Sequence, residues 1–288
     1  MSLRACDVEP PLGIAAAHRR TPPLPALHRE PAPPPLRPLS IEWARSEDDV
    51  REAQRLRYRV FALEMGARLP QAAGTAEGLD VDRFDAFCDH LLVRAGRGCH
   101  DARGDIVGTY RVLSPAGARA AGGFYTDTEF DLAPLAALRQ RTVELGRSCV
   151  HADWRSGSVI LAMWSALAAY MLRSRLDTMI GCASVSLAQG VAPVAALWQD
   201  LRGRYLADAR WHVQPLHGVP GATLAMAGGP AACAPSEAPP LLKGYLRCGA
   251  RLLGPPALDE AFNTADLPIM LRLDDMAPRY RRHLLASA

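Results

Sequence analysis

The sequence predicts a single α/β domain, in which helices alternate with the strands of a central sheet. Segments with helical and with strand-like patterns follow one another along the chain from residue 41 onward. Almost half of the 288 residues (49%) are hydrophobic, and a chain of this length can bury a large core. Ten of the 24 prolines fall within the first forty residues, which sets that segment apart from the domain.

Residues 1–40 form the first unit, a proline-rich leader that we expect to be disordered. Its apolar residues show no sustained period, and Pro33-Pro34-Pro35 favours a stiff, extended backbone over a packed core. A peptide ligand for a proline-binding domain is the alternative interpretation. Residues 41–288 are the second unit, the folded domain.

The order of elements in the domain follows from local signals. Ser46 precedes three acidic residues, as is typical of a helix N-terminus, so a strand at 41–45 is followed by a helix from residue 47 to about residue 65. Strands at 90–94 and 105–113, joined by a turn-rich segment, form a hairpin. We further predict helices at 134–141, 159–173, 191–206 and 240–249, strands at 142–150, 178–185, 211–216 and 268–273, an irregular or helical stretch at 257–262, and a long loop at 217–240.

The charge balance excludes a strongly basic nucleic-acid-binding protein. The chain has 33 basic and 30 acidic residues, a formal net charge of +3, and only 6% aromatic residues for base stacking. Every basic residue except Lys243 is an arginine. The fixed charge and forked donors of arginine suit carboxylate and phosphate groups.

Cysteine usage and the absence of targeting signals predict a cytoplasmic protein. The seven cysteines are scattered and lack a C-x-x-C pair, which excludes a disulfide framework and a zinc site. No segment has the features of a secretory signal in order, and the apolar stretch 159–173 is shorter than the roughly 20 residues that span a bilayer. Nucleotide-binding glycine patterns and a Gly-x-Ser-x-Gly motif are absent from the sequence, so we predict no metal and no nucleotide cofactor.

The clearest local signal for a binding site is Arg155-Ser156-Gly157-Ser158, between a predicted strand and a predicted helix. A glycine-containing turn that enters a helix leaves free N–H groups, and the helix dipole favours an anion there. Arg155 adds a cation at the same place. An ordinary strand-to-helix turn would show a similar pattern, so a phosphate-binding and a purely structural interpretation both stay open.

Asp80, Asp82 and Asp85 form a second candidate site. Their spacing resembles the start of a calcium loop, but Phe84 stands where an oxygen ligand belongs and Leu91 replaces the final glutamate. Calcium is therefore rejected. Two interpretations remain, a solvated acidic loop or a carboxylate cluster that binds an ammonium group.

A third candidate lies within the strand predicted at 142–150. Residues three apart in a strand normally lie on opposite faces, but Gly146 suggests a β-bulge that would bring Glu144 and Arg147 to one side. Charges in a central strand are costly unless they are paired or used. The pattern favours a functional pair over a structural salt bridge.

Six sequence blocks occur in a fixed order along the domain: RYRVF at 57–61, DRFD at 82–85, CDHLLV at 88–93, VGTYR at 107–111, ELGRSCVH at 144–151 and LLKGYLR at 241–247. This series resembles the ornithine Nα-acyltransferases of bacterial ornithine-lipid synthesis, a branch of the GNAT acyltransferase superfamily. The resemblance covers nearly all of residues 41–283. A more distant likeness to acyl-homoserine-lactone synthases accompanies it.

The resemblance implies a GNAT-like fold, with a mixed central sheet flanked by helices in a single domain. It also implies transfer of a fatty acyl group, typically 3-hydroxylated, from acyl carrier protein to the α-amine of L-ornithine, giving lyso-ornithine lipid. The donor brings its own phosphopantetheine, so no separate cofactor is implied. The alternatives are another amine acceptor (glutamine, glycine or lysine) or a non-catalytic module that binds acyl carrier protein or lipid.

Three catalytic residues follow from the same resemblance. A base is needed to remove a proton from the attacking amine, and Glu144 is the first candidate and His151 the second. Tyr245 matches the general-acid tyrosine of many GNAT enzymes, which protonates the leaving thiolate.

The binding residues that the resemblance implies fall into three groups. Backbone N–H groups and arginines suit the phosphate and thioester of the donor, arginines suit the carboxylate of ornithine, and aspartates suit its δ-ammonium. The donor group is Gly146, Arg155, Gly157 and Ser158; the carboxylate group is Arg59, Arg111 or Arg147; the ammonium group is Asp82 or Asp85.

Two surface features suit contacts with a partner protein and with a membrane. Arg173, Arg175 and Arg202 are expected near the anion-binding turn, where they would dock the acidic carrier protein, although solvated charge is an equal alternative. The basic and apolar tail at 279–285 suits transient contact with the inner face of the membrane but is too short for an anchor.

Overall fold

The computed structural model describes residues 38–69, 76–96, 104–155, 157–219 and 237–286. All of them belong to one compact unit, Arg37–Ala288. The predicted leader lies outside the described residues except for its last three positions. Most of the loop predicted at 217–240 lies outside them as well.

The described residues contain ten strands. They are β1 (Leu39–Trp43), β2 (Asp89–Ala95), β3 (Asp105–Leu113), β4 (Phe130–Asp131), β5 (Thr142–Val150), β6 (Thr178–Ser186), β7 (Gln214–Pro215), β8 (Arg251–Leu252), β9 (Ala257–Asp259) and β10 (Thr264–Arg272). Eight of them form one mixed sheet in the order β1-β2-β3-β5-β6-β10-β8, with β9 also paired to β10, while β4 and β7 form a separate pair. Within the large sheet only β5 and β6 run parallel.

Six α-helices accompany the strands in the described part of the chain: α1 (Glu47–Tyr58), α2 (Pro115–Ala121), α3 (Ser158–Arg173), α4 (Val191–Tyr205), α5 (Pro240–Cys248) and α6 (Pro278–Ala286). A single π-helical segment, Arg59–Glu64, continues α1 and is called the π-turn below. Short 3₁₀ segments occupy Asp85–Phe87, Thr126–Thr128, Ala133–Arg141, Ala152–Trp154, Ala209–Trp211 and Leu273–Asp275. Each of these α-helices is too short or too polar to cross a bilayer.

Both faces of the sheet are covered, as the side-chain alternation of its strands shows. Val112 and Leu271 pack in the core beneath α3, together with Met163 of that helix. Their strand neighbours Leu113 and Met270 belong to a second core on the opposite face. The expectation of a mixed sheet flanked by helices is therefore confirmed.

Strands β5 and β6 part soon after they begin. They pair only between Thr142–Glu144 and Thr178–Ile180. Beyond that point β5 stays paired with β3, where a bulge sets two residues, Arg147 and Ser148, against Tyr110. A bulge in this strand is thereby confirmed, but it lies at Arg147 and Ser148 rather than between Glu144 and Arg147. Arg147 adopts a positive φ of 48° within it. A gap opens between β5 and β6.

Most predicted elements are confirmed, beginning with the first helix. Ser46 and Asp49 form a reciprocal capping box, in which each side chain accepts a hydrogen bond from the backbone N–H of the other at 3.2 Å. The strands predicted at 105–113 and 142–150 have those bounds, and the strand predicted at 178–185 ends one residue later.

Four predicted elements are wrong or incomplete. The stretch 134–141 is 3₁₀ rather than α-helical. It begins with a proline and is followed directly by β5, so the chain turns more tightly there, with three residues per turn. Residues 257–259 form β9, because pairing with β10 overrides their local preference. The last strand begins at Thr264 rather than at 268, and the strand at 211–216 shrinks to Gln214–Pro215.

Candidate active site

A cleft of about 720 Å³ occupies the gap between β5 and β6. Its walls combine β5 and β6 with residues from six other segments of the chain. A smaller apolar cavity adjoins it, and Trp164 and Tyr245 line both spaces. The residues that line the cleft include Phe61 and Glu64 of the π-turn, Tyr110, Tyr125, Glu144, Gly146, Arg147 and Ser148, Arg155 and Gly157 before α3, Tyr245 of α5, and Asp259, Phe262 and Asp266 around the β9–β10 turn.

The predicted anion-binding turn lies in the wall of the cleft. Gly157 caps α3 with φ of +92°, a left-handed conformation that glycine adopts without strain. Arg155 donates to the Val150 carbonyl at 3.1 Å and to the Glu64 carboxylate at 2.5 Å. The turn therefore combines the N-terminus of α3 with a half-exposed guanidinium that an acidic side chain already holds.

Gly146 lies on β5 where that strand has left β6. A side-chain atom at this position would meet no other atom within 4 Å, so the face of the strand is open toward the cleft. β5 has no strand partner in β6 beyond Glu144. A ligand can therefore approach the backbone of this segment closely.

Glu144 is buried, with 4% of its surface exposed, and already holds three hydrogen bonds. Its carboxylate accepts from the backbone N–H groups of Tyr125 and Thr126, both at 2.6 Å, and from the Thr126 hydroxyl. Burial raises the pKa of Glu144 above its usual value, although these donors oppose the shift. The carboxylate fixes the turn at Tyr125 and also borders the cleft.

Tyr245 and His151, the other two predicted catalytic residues, lie in different surroundings. Tyr245 borders the cleft, its hydroxyl contacts the Tyr110 hydroxyl, and its ring stacks on Trp164 at 5.5 Å. His151 caps the short segment Ala152–Trp154 by accepting from the Asp153 N–H at 3.3 Å. His151 is not among the described residues that line the cleft.

A paired cluster of three arginines and three aspartates lies beside the cleft. The Arg57 guanidinium is 0% exposed and binds Asp80 at 2.8 Å and Asp85 at 2.7 Å. Arg111 binds Asp82 at 2.5 Å and Asp85 at 3.1 Å, and Arg147 lies 3.2 Å from Asp82. Three positive charges therefore face three negative charges, and the paired cluster is neutral.

The ion pairs of the paired cluster decide the protonation of its carboxylates. Burial alone would raise the pKa of Asp85, but attraction to Arg57 and Arg111 outweighs it and holds the pKa well below its usual range. The pKa of Asp82 is lowered in the same way by Arg111 and Arg147. Both side chains stay ionised and already have cationic partners.

Arg59 lies apart from the other predicted arginines. It begins the π-turn with its side chain exposed, and it is not among the described residues that line the cleft. Arg57, two positions earlier, points into the core instead. Its position on the buried side of α1, beside Ala53, Leu56 and Val60, is the signal in the sequence that identifies it.

A second set of acidic residues, Glu129, Asp259 and Asp266, is not evident from the sequence motifs; we call it the carboxylate trio. The Tyr125 hydroxyl donates to Glu129 at 2.7 Å and lies 3.5 Å from Asp259. Carboxylate oxygens of Glu129 and Asp266 lie within 4.8 Å of each other. In the described part of the chain, none of the three forms an ion pair.

Burial and mutual repulsion shift the titration of the carboxylate trio upward. Burial, followed by repulsion from Asp266, raises the pKa of Glu129 to about 8. Burial likewise raises the pKa of Asp266 to about 6, with Asp259 adding to the shift. Arg147, whose guanidinium lies over the rings of Tyr125 and Phe262, partly offsets both shifts. The trio therefore lacks a matching set of cations.

Two of the three arginines proposed for docking, Arg173 and Arg175, lie far from the anion-binding turn. Arg173 is the last residue of α3 and Arg175 lies two residues beyond it, whereas Gly157 lies at the N-terminal end of this helix, which is about 24 Å long at 1.5 Å per residue. The expectation that they lie near the anion-binding turn is wrong. Spacing along the sequence does not reveal that a helix separates the two ends.

Comparison with known proteins identifies relatives over most of the chain. Residues 56–165 match the family model described as "Acetyltransferase (GNAT) domain". A protein of Agrobacterium fabrum named L-ornithine N(alpha)-acyltransferase is 39% identical over 251 residues, covering 84% of this chain and 83% of that protein. A protein of the same name from Brucella abortus is 37% identical over 257 residues, covering 87% and 90%.

Solved structures share much less sequence with this chain than these relatives do. The acyl-homoserine-lactone synthase LasI has a TM-score of 0.47 and 13% identity, covering 87% of this chain and 96% of that one. FeeM, an N-acyl amino acid synthase from uncultured soil microbes, has a TM-score of 0.48 and 11% identity, covering 83% and 92%.

Proposed function

The chain belongs to the family of the L-ornithine Nα-acyltransferases, GNAT-domain enzymes that transfer acyl groups to nitrogen, and from this we propose its reaction. It transfers a fatty acyl group from the thioester of acyl carrier protein to the α-amine of L-ornithine, and lyso-ornithine lipid is the product. The cleft between β5 and β6 carries this proposal, because it joins an anion-binding turn to an uncompensated group of carboxylates.

The donor is proposed to enter from the N-terminal end of α3. The free N–H groups of a helix N-terminus and a nearby guanidinium suit the phosphate of phosphopantetheine. Arg155 and Gly157 border the cleft at this end, and Ser158 is the first residue of α3. The thioester then lies against β5 near Gly146, where backbone N–H groups polarise its carbonyl. The adjoining apolar cavity behind Trp164 suits part of the acyl chain.

The acceptor is proposed to enter from the opposite end, between Arg147 and the carboxylate trio. Ornithine carries a carboxylate and a δ-ammonium, so its site needs a cation and uncompensated anions. Arg147 supplies the cation, while Asp259 and Asp266 border the cleft without an ion pair among the described residues. Asp82, Asp85 and Arg111 suit these roles less well, because Arg111 binds both aspartates at 2.5 and 3.1 Å. Arg147 also belongs to the paired cluster, but its contacts there are longer, 3.2 and 3.4 Å, and its guanidinium lies over the rings of Tyr125 and Phe262.

The reaction joins the α-nitrogen to the thioester carbon and breaks the carbon–sulfur bond. The α-amine is the nucleophile because its usual pKa, about 8, is lower than that of a side-chain amine, about 10. Glu144 is the proposed acceptor of the amine's proton, since a carboxylate offers about four acceptor positions and three are occupied. Tyr245 gives its proton to the departing sulfur.

Incubation of the purified full-length chain with acyl carrier proteins and a panel of amino acids tests the proposal. Mass spectrometry should find ornithine acylated on its α-nitrogen. Arg155→Ala should raise the KM for the acyl carrier by about 10- to 100-fold, because a hydrogen bond between charged groups contributes about 1.5–3 kcal/mol. Arg173→Ala, at the far end of α3, is the matched control and should leave that KM unchanged.

Two outcomes would contradict the proposed function. Acylation of glutamine, glycine or lysine in place of ornithine would keep the donor and change the acceptor. A chain that binds acyl carrier protein without acylating any amine would be a non-catalytic module.

A further inference from the structure

Three hydroxyl groups form a row from the bulge of β5 to the cleft. Tyr110 lies in the middle, with its side chain 1% exposed in the core beneath α3. On one side its hydroxyl is hydrogen-bonded to Ser148, and on the other it contacts the Tyr245 hydroxyl. All three residues border the cleft. We call them the hydroxyl row.

The fold builds this row from three separate elements. The bulge in β5 places Ser148 opposite Tyr110 of β3. Tyr245 comes from α5, 135 residues further along the chain than Tyr110, and Trp164 of α3 stacks on its ring at 5.5 Å and 26°. Gly244 permits that stacking, since a side chain there would come within 2.6 Å of the Trp164 ring. Trp164 thus holds the ring of Tyr245, and Tyr110 contacts its hydroxyl.

The direction of donation along the row follows from what each end meets. The thiolate that forms in the cleft has no proton and can only accept a hydrogen bond. Tyr245 must direct its own proton toward that thiolate, so its oxygen is free to accept from Tyr110. Tyr110 in turn can accept from Ser148, so that Tyr110 and Tyr245 each donate once and accept once.

We propose that Tyr110 is a positioning residue for acyl transfer, whose hydroxyl donates to the oxygen of Tyr245 and thereby directs the Tyr245 proton at the leaving sulfur. This inference rests on the proposed function. Burial raises the pKa of Tyr110 far above its usual value, so this hydroxyl stays protonated and remains a donor.

The proton and electron balance of the step is complete. As the carbon–nitrogen bond forms, the carbon–sulfur bond breaks and its electron pair stays on sulfur. Sulfur takes the proton of Tyr245, and the hydrogen bond from Tyr110 stabilises the Tyr245 oxygen while it carries negative charge. The amine releases one proton on acylation, and an equivalent proton from water restores Tyr245.

Tyr110→Phe tests the inference, because it removes one oxygen and keeps the ring in the core. With acyl pantetheine as the donor and ornithine as the acceptor, kcat should fall by about 10- to 100-fold, while both KM values stay within about threefold. The acyl thioester of a thiophenol should restore kcat to within about threefold of the unmodified protein, because this thiolate leaves without a proton. Tyr245→Phe should show the same dependence on the leaving group, and the double variant should be no slower than Tyr245→Phe alone.

Two further variants guard against a loss of folding. Tyr170→Phe removes a tyrosine hydroxyl that donates to Asp89 outside the cleft, and it should match the unmodified protein with both donors. Ser148→Ala, at a half-buried position, should show a weaker form of the same leaving-group dependence, about three- to tenfold. It supplies the measurement if Tyr110→Phe does not fold.

Each contrary result overturns a definite statement. Equal losses with both donors in Tyr110→Phe and in Ser148→Ala would make the row purely structural. Unchanged kcat with acyl pantetheine would show that Tyr245 needs no partner. If the unmodified protein acylates no amine with either donor, the proposed function fails first and the inference fails with it.

Discussion

Six carboxylates near the cleft share one chemistry and differ in what they can bind. Those of the paired cluster each face an arginine, and attraction to those arginines keeps the pKa of Asp82 and of Asp85 low despite burial. Those of the carboxylate trio have no ion pair among the described residues, and burial raises the pKa of Glu129 and of Asp266. A cationic ligand gains more by approaching the trio, because there it meets charge that the protein has not compensated.

Asp259→Asn should weaken the recognition of ornithine selectively. The substitution keeps the shape of the side chain and removes a charge at the border of the cleft. We expect kcat/KM for ornithine to fall by about 10- to 100-fold, since hydrogen bonds to charged groups contribute about 1.5–3 kcal/mol. Steady-state kinetics with norvaline, which has the same backbone and no δ-amine, should show no change.

Asp82→Asn is the matched comparison, because it removes a charge from the paired cluster. It should affect ornithine and norvaline alike, through the position of Arg147. If Asp82→Asn lowered the preference for ornithine and Asp259→Asn did not, the δ-ammonium would belong to the paired cluster.

Local sequence identifies some of these residues and misses others for a physical reason. Gly146, Arg147 and Tyr245 stand in the recognised sequence blocks and Arg155 in the predicted anion-binding turn, and all four border the cleft. Arg57 and Arg59 stand in one block, yet one is buried and the other exposed, because two residues along α1 and the π-turn span more than half a helical turn. The carboxylate trio gathers from three segments, and no local pattern joins them.

The gap between β5 and β6 depends on a close contact between the two strands near the point where they part. A side-chain carbon at Gly181 of β6 would come within 2.4 Å of the Leu145 carbonyl oxygen of β5. That carbonyl belongs to the same peptide unit as the Gly146 N–H. The glycine in β6 therefore lets β5 keep the peptide orientation that it has beside the cleft.

Gly181→Ala should disturb both stability and catalysis. The added carbon must displace backbone, which is costlier than moving the end of a side chain, and overpacking of this kind costs about 1–3 kcal/mol. We expect the melting temperature to fall by about 2–4 °C for each kcal/mol, together with a lower kcat for acyl transfer. Calorimetry and steady-state kinetics on the same preparation measure both effects.

Gly203→Ala is the control for this prediction. Gly203 lies exposed in α4, and a side-chain carbon there would meet no atom within 4 Å. Alanine should therefore stabilise the helix slightly and leave catalysis unchanged. A Gly181→Ala protein as stable and active as Gly203→Ala would show that the contact with Leu145 does not set the gap.

The strands and helices differ in how far their own residues determine them. β3 and β5 are nine residues long and have apolar residues along their whole length, so both strands and their bounds could be predicted from the sequence. β9 has three residues and exists because β10 offers an edge, which no window of sequence shows. The 3₁₀ segment Ala133–Arg141 buries only Leu135, so an amphipathic face does not define it.

At the scale of the whole molecule, the candidate active site is formed by contacts between segments that are distant in sequence. Arg147 and Asp82 are 65 residues apart, and Tyr110 and Tyr245 are 135 apart. Sequence blocks supply the residue types, while the crossing of the chain through the mixed sheet brings them together. The geometry of the cleft could therefore be seen only in the folded structure, although most of the residues proposed to bind the donor could be identified from the sequence.

The carboxylate trio should also make the stability of the whole molecule depend on pH. Its raised pKa values mean that the folded chain holds protons that the unfolded chain releases. The free energy of unfolding therefore decreases as pH rises through the folded pKa of Glu129, by at most about 1.4 kcal/mol per pH unit for one proton. The lowered pKa values of Asp82 and Asp85 add stability that is already complete above about pH 5. Burial lowers the pKa of His90, so that its own contribution changes only below about pH 6.5.

Denaturant unfolding between about pH 6.5 and 8, of the unmodified protein and of Glu129→Gln, separates this effect from the titration of Glu144, whose pKa burial also raises. Stability should decline over that range in the free protein, and Glu129→Gln should remove most of the decline because no carboxylate remains to lose its proton. Ornithine should stabilise the protein more at pH 8 than at pH 6.5, since its δ-ammonium favours the ionised carboxylates, whereas norvaline should stabilise it equally at both. A decline that Glu129→Gln leaves intact would place the titrating group elsewhere, and equal effects of ornithine and norvaline would separate the trio from the δ-ammonium.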